Sequence, residues 1–150
     1  MKKIQSDYGS DKVAWVFRHF PLVQLHPDAE RHAEAAECVA SLKGPQAFFD
    51  FIAAVHAAAP DEQKFNSAHY DSLLPALGVD QKAFEACRTA GTFAQHVADD
   101  AVEAQAAGAQ GTPFLVVIGP DGVKTIFKGA ASEAQMKQLI DTSLAATAKK

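Results

Sequence analysis

The sequence predicts an α/β fold in which a helical block interrupts a small set of strands. Apolar, strand-like runs cover residues 13–17 and 114–118, and a shorter alternating run covers 123–128. Between the first two runs, residues 28–107 have the apolar spacing and the breaks of consecutive helices. Strands separated by helices favour a sheet with helices packed on it, and this order places the helical block as an insertion.

The first two elements are expected to be a helix end and a buried strand. Ile4 and Tyr8 are four residues apart, and Gly9 is placed to end a helix over 2–8. Residues 13–17 are apolar at every position, which is typical of a strand that is covered on both faces. Residues 18–20 extend this strand and Pro21 ends it.

The helices of the block are predicted from the glycine and proline residues that separate them and from the aspartates placed to cap them. Asp28 is expected to cap a helix over 29–42, and Gly44-Pro45 separates that helix from a strongly apolar one over 46–58. The rest of the block is expected as a polar connection over 60–66, a short helix over 67–77 bent by Pro75 and closed by Gly78, a helix over 81–90 capped by Asp80, and a helix over 92–107.

Strands return after the block. The run 114–118 again reads as buried on both faces, and Gly119-Pro120-Asp121-Gly122 has the residues of a type I turn. Residues 123–128 alternate between apolar and polar, which indicates a partly exposed edge strand. Ser132 is expected to cap a final helix, and residues 145–150 form a polar tail.

Three strands provide only one interior position, yet two of these runs read as fully buried. We therefore expect a further strand beside both of them, upstream of residue 1 and leading into the helix that ends near Tyr8. On this reading the first strand and the start of the first helix are missing from the sequence.

Composition excludes several classes of function. The 150 residues are 48% hydrophobic and 21% charged with a net charge of −4, so no basic face for nucleic acid is indicated. No apolar run approaches a membrane span, and the residues after Met1-Lys2-Lys3 are not the apolar region of a signal peptide. The protein is thus cytosolic, or its targeting segment is not in this sequence. No spacing indicates a metal or cofactor, and the six histidines are interpreted as surface or packing residues.

The tripeptide Gly111-Thr112-Pro113 precedes the second apolar run, and a proline there is tolerated only because it opens the strand. An X-Pro bond in such a place can be cis, and the residue before it can pair with an extended peptide by strand addition. An ordinary trans proline is the alternative, and the spacing alone favours it.

A set of short motifs occurs in one order along the chain: Arg18-His19-Phe20-Pro21-Leu22, His26-Pro27, Ala35-Ala36-Glu37-Cys38, Gly44 with Ala47-Phe48-Phe49, Phe84-Glu85-Ala86-Cys87 and Gly111-Thr112-Pro113-Phe114. Together they resemble the DsbA-like thiol-disulfide oxidoreductases, in particular the BdbD-like branch of the thioredoxin superfamily. The likeness covers about residues 2–145.

The resemblance implies a thioredoxin-like fold, formed by residues 1–27 and 108–150, with an inserted helical domain over 28–107. It implies a cis bond before Pro113 and a substrate-binding loop formed by Gly111, Thr112 and Pro113. It further implies extended or unfolded exported proteins as substrates, a membrane redox partner, and a periplasmic, cell-surface or secreted location.

The family's Cys-x-x-Cys is absent, because the sequence has only two cysteines, Cys38 and Cys87. The sequence therefore contains none of the family's catalytic residues. The two cysteines have three readings: buried thiols, a structural disulfide, or a redox-active pair. The resemblance and an oxidising compartment favour the structural disulfide.

Three functions remain open at this point. The chain is part of an oxidoreductase that lacks its reactive dithiol, or it is a redox-inactive module that binds peptides like a chaperone. The third is a thioredoxin-fold enzyme that uses glutathione or a hydroxyl nucleophile, for which the sequence shows no site.

Overall fold

A computed structural model of the chain describes residues 2–58 and 69–145, and these are mostly helical with one small sheet. The predicted connection over 60–66 and most of the polar tail lie outside the described residues. In chain order the elements are α1 (Lys2–Tyr8), α2 (Ala29–Lys43), α3 (Pro45–Ala58), α4 (Tyr70–Leu73), a 3-10 helix (Pro75–Leu77), α5 (Gln81–Thr89), α6 (Ala94–Ala106), β1 (Phe114–Ile118), β2 (Lys124–Lys128) and α7 (Glu133–Ala145).

The chain divides into two compact units. The sheet unit comprises Met1–Arg18 with Gln105–Lys150, and the helical unit comprises His19–Ala104. The domain boundaries predicted from the sequence, at 27/28 and 107/108, lie further along the chain than the limits of these compact units. Residues from His19 onward belong with the helices because the His19 backbone N–H donates to Asp100 of α6.

The helical unit is built around three aromatic rings. Phe51, Tyr70 and Phe84 are almost fully buried, and the Tyr70 ring lies 5.6 Å from Phe51 and 5.7 Å from Phe84 between centroids. Such ring pairs add to the free energy gained by burying the side chains themselves. This core holds α2, α3, α4 and α5 together.

Local signals predict where most of these helices begin and end. Gly44 and Gly78 follow helices with positive φ of 90° and 64°, a conformation that glycine adopts without strain. The Asp80 carboxylate accepts from the Ala83 N–H at 2.8 Å, so the predicted cap of α5 is confirmed. The predicted cap at Asp28 is wrong. Its backbone is near-helical, with φ −93° and ψ 4°, and its side chain makes no capping bond.

The sheet unit pairs β1 with β2 in antiparallel register, with Val116 opposite Ile126. The Gly122 N–H donates to the Gly119 carbonyl and closes the predicted turn between them. Ser132 and Gln135 cap α7 reciprocally, because the Ser132 hydroxyl accepts from the Gln135 N–H and the Gln135 side chain accepts from the Ser132 N–H. Helices α1 and α7 pack on one face of the sheet through a small apolar cluster of Ile4, Met136 and Ile140, against which Leu115 is packed.

The predicted strand over 13–20 does not form. Residues 13–17 lie outside any helix or strand, and no backbone hydrogen bond joins 14–16 to another part of the described chain. Val13 and Trp15 pack against the apolar cluster, whereas Val16 is 71% exposed, so only one side of the run is covered. An apolar run becomes a strand only when a neighbouring strand pairs with its backbone groups, and no strand among the described residues pairs with 14–16.

The prediction that β1 is buried on both faces is also wrong. Val116 is 39% and Ile118 is 61% exposed, because α1 and α7 cover only the opposite face of the sheet. The prediction for β2 is confirmed: Lys124, Ile126 and Lys128 share the exposed face of a partly exposed edge strand.

Candidate functional site

The loop formed by Gly111, Thr112 and Pro113 leads directly into β1. Thr112 and Pro113 are exposed, and the peptide bond between them is cis. The Gly129 N–H donates to the Pro113 carbonyl at 2.9 Å, which fixes the end of the loop to the sheet ladder. The loop is thus held at its C-terminal end by the strand that follows it.

Gly111 and Thr112 make no hydrogen bond within the described residues; Thr112 is exposed and Gly111 is half-buried. The loop contains no acid, base or nucleophile stronger than the Thr112 hydroxyl. What the loop offers chemically is exposed main chain, a feature that can pair with an extended peptide by strand addition.

Along β1, directly after the loop, further backbone N–H and C=O groups point away from β2. Just outside the two ends of β2, the Gly129 N–H donates to the Pro113 carbonyl and the Val123 carbonyl accepts from the Gly119 N–H. In an antiparallel ladder, hydrogen-bonded pairs alternate along the strands with pairs that are not hydrogen-bonded to each other. Phe114, Val116 and Ile118 consequently direct their N–H and C=O groups away from β2. None of the backbone hydrogen bonds of the described residues uses these groups, and we name them the open edge.

The two cysteines lie in the helical unit and are joined to each other. The Sγ atoms of Cys38 in α2 and Cys87 in α5 are 1.96 Å apart, and the Cα atoms are 5.9 Å apart. Cys38 is almost fully buried. The structure therefore places the predicted loop residues in one unit and the predicted disulfide in the other, and the disulfide leaves neither sulfur as a free thiol.

A buried acid–histidine cluster was missed by sequence reasoning. His19 Nε2 lies 2.8 Å from Glu37 Oε1, and the His19 N–H donates to Asp100 Oδ2 at 2.9 Å. His96 Nε2 lies 3.8 Å from Glu37 and 4.0 Å from Asp100. Sequence analysis interpreted both histidines as surface or packing residues. The available signal was the four-residue spacing of His96 and Asp100 on α6, whereas the contact with His19 spans 81 residues.

This cluster holds the backbone at His19 in place through the Asp100 carboxylate of α6. Asp100 is only 2% exposed. A buried carboxylate needs hydrogen-bond partners inside the protein. Asp100 accepts from the His19 backbone N–H and lies near the His96 ring. Within the described residues, no group of three or more His, Cys, Asp or Glu side chains is arranged to hold a metal ion. The cluster therefore ties the chain segment at His19 to α6.

Two further polar groups have shifted pKa values with structural causes. Burial raises the pKa of Tyr70 far above its usual value, while its hydroxyl is hydrogen-bonded to His32 Nδ1 and the Arg88 guanidinium lies over its ring. In the sheet unit, hydrogen bonds from Lys3 and Lys137 lower the pKa of Glu133. The Tyr70 contacts lie in the core of the helical unit, whereas the Glu133 ion pairs lie at the surface of the sheet unit.

No helix among residues 2–58 and 69–145 is both long enough and apolar enough to span a bilayer.

A family model described as thioredoxin matches residues 1–142. The match includes the 111–113 loop, both strands and most of α7, and it covers both compact units. No curated protein and no solved structure matches the chain.

Proposed function

The chain belongs to the DsbA-like thioredoxin superfamily, whose family model covers residues 1–142, and we propose that it is the client-holding part of a thiol-disulfide oxidoreductase of the BdbD-like branch. In this proposal Gly111, Thr112 and Pro113 bind extended segments of exported proteins. The sheet unit corresponds to the thioredoxin-like part and the helical unit to an insertion.

The observation that carries the proposal is the free backbone of the loop. Thr112 is exposed and its N–H and C=O make no hydrogen bond within the described residues. An extended peptide can satisfy both groups by lying beside the loop as an added strand. Recognition through the main chain is largely independent of sequence, which suits a protein that acts on many unfolded clients.

The proposal separates client binding from the exchange step. Thiol-disulfide exchange requires a thiolate that attacks a disulfide sulfur and forms a mixed disulfide. Cys38 and Cys87 are joined to each other, and the 150 residues contain no Cys-x-x-Cys. Exchange by this protein would therefore require a dithiol contributed from outside these 150 residues.

The lack of a free thiol favours a second candidate, a redox-inactive module that binds peptides in the manner of a chaperone. Both candidates use the same loop and both fit an extracytoplasmic location, where a disulfide such as Cys38–Cys87 persists. They differ in whether a dithiol ever acts on the bound client.

Peptide binding by variants of Thr112 tests the role of the loop. Thr112→Pro removes the backbone N–H, and we expect it to weaken binding of an extended, cysteine-free fluorescent peptide by roughly tenfold. Thr112→Ala is the matched control, because it keeps the N–H and removes only the side chain. Fluorescence anisotropy should show near-normal affinity for the alanine variant. Equal affinity for all three proteins would contradict binding through the Thr112 backbone.

Reduction of insulin by dithiothreitol, followed by turbidity, then measures turnover of the 150-residue chain. We expect no acceleration over the uncatalysed reaction, and the same result for the Cys38→Ser, Cys87→Ser double variant. Acceleration that survives in the double variant would show a reactive group that this account does not contain. Acceleration that disappears with the cysteines would assign them a redox role.

A further inference from the structure

A polar cleft of about 270 Å³ lies between α2 and α5 of the helical unit. Two arginines, two glutamates and a threonine line it: Arg31, Glu34, Glu85, Arg88 and Thr89. The formal charges of these side chains sum to zero, so the cleft suits a ligand that carries both a positive and a negative group. Its volume is just below that of pockets for drug-sized molecules, which favours a ligand of the size of an amino acid.

Arg88 is held in place by the protein itself. Its side chain is only 19% exposed, and its guanidinium carbon lies 4.9 Å from the centroid of the Tyr70 ring and 5.5 Å from that of Phe84. Such contacts with aromatic faces attract and orient a guanidinium group. Within the described residues, its side chain makes one hydrogen bond, from Nη1 to Glu85 Oε1 at 2.9 Å. Most of its five N–H donors are therefore left for a carboxylate of a ligand, whose geometry they match.

Glu34 provides the complementary charge on the other wall of the cleft. It is half-buried on α2, and its side chain has no ion pair or hydrogen bond within the described part of the chain. Partial burial of a carboxylate costs free energy unless an opposite charge or a hydrogen-bond donor compensates. The ammonium group of a ligand would supply both.

The two walls of the cleft are joined covalently. Cys38, four residues after Glu34 on α2, is bonded to Cys87, which directly precedes Arg88 on α5. The disulfide therefore restricts how far the glutamate wall can move from the arginine wall. A site that is preformed in this way loses less binding free energy to ordering of the protein than a flexible site does.

We propose that this cleft binds a small zwitterion, an amino acid or a dipeptide. The carboxylate of the ligand accepts hydrogen bonds from the Arg88 guanidinium, and its ammonium group donates to the Glu34 carboxylate. Arg31, which is exposed and lies 3.2 Å from Asp28, adds positive charge at the rim. The cleft lies wholly in the helical unit, so this binding does not depend on the 111–113 loop.

Nuclear magnetic resonance titration of the isotope-labelled protein with L-alanine and with L-alanyl-L-alanine tests the proposal. We expect the amides of Glu34, Arg88 and Thr89 to shift, with a dissociation constant on the order of 1 mM for at least one of the two probes. Blocked forms of that probe should bind at least tenfold more weakly. The N-acetylated form lacks the ammonium group, and the C-terminal amide lacks the carboxylate.

A variant of Glu34 tests the recognition of the ammonium group. Glu34→Gln should weaken binding of the same probe at least tenfold, because the amide carries no charge. Glu30→Gln is the matched control, since Glu30 is exposed, lies one turn earlier on α2 and does not line the cleft. No shift of the three amides with either probe, undiminished binding of either blocked form, or equal affinities of the two variants would each overturn the proposal.

Discussion

Replacing both cysteines by serine, Cys38→Ser together with Cys87→Ser, is expected to lower the free energy of unfolding by about 4 kcal/mol. The disulfide closes a loop with a sequence separation of 49, which restricts the unfolded chain. It also joins α2 to α5 beside the aromatic core of the helical unit. Urea unfolding followed by circular dichroism measures the change.

Reduction provides the control for this prediction. Dithiothreitol should destabilise the unmodified protein by about the same amount and should have no effect on the double variant. Alkylation of the unreduced protein should label no cysteine in a mass spectrum. Two labelled cysteines, or a double variant with an unchanged urea midpoint, would show that the pair is not bonded in solution.

Asp100→Ala is expected to lower the free energy of unfolding by about 2 kcal/mol. The substitution leaves the His19 N–H without its acceptor and removes a negative charge that lies near His96. Because Asp100 is buried, water cannot readily replace the lost carboxylate.

Asp99→Ala is the matched control for Asp100→Ala. Asp99 is the preceding residue of α6, is exposed, and among the described residues its side chain accepts from the Gln95 side chain. Its removal should cost less than about 0.5 kcal/mol. Equal urea midpoints for the two variants would contradict the role given to the buried cluster.

The sequence correctly predicts the structural features that depend only on residues close together in the chain. The helix ends at Gly44 and Gly78, the cap at Asp80 and the turn closed by Gly122 all follow from local chemistry, and the structure has each of them. Positive φ at glycine and capping by aspartate need no information from distant parts of the chain.

The failures have a common physical cause. The residues of the apolar run over 13–17 favour burial and therefore predict a strand, yet strand pairing depends on which other backbone lies beside the run. The exposure of Ile118 depends on which face of the sheet the helices cover, and the contact of His19 with Asp100 joins residues far apart in the chain. Residue patterns report local preference and burial but not these distant partners.

The candidate loop is predicted by family resemblance rather than by residue spacing. The spacing of Gly111-Thr112-Pro113 favoured an ordinary strand-opening proline, and the resemblance to DsbA-like proteins singled out the loop as a binding site. Family membership over residues 1–142 is now shown, whereas the role of the loop remains a prediction. Its free backbone groups are the part that only the structure reveals.

The central claim is that the backbone of Gly111 and Thr112 holds extended client chains. Amide chemical shifts and hydrogen exchange, measured by nuclear magnetic resonance with and without a saturating cysteine-free peptide, test it most directly. We expect the Gly111 and Thr112 amides to shift and the Thr112 amide to exchange more slowly when the peptide is bound. A bound peptide that leaves both amides unchanged, while residues elsewhere respond, would contradict the claim.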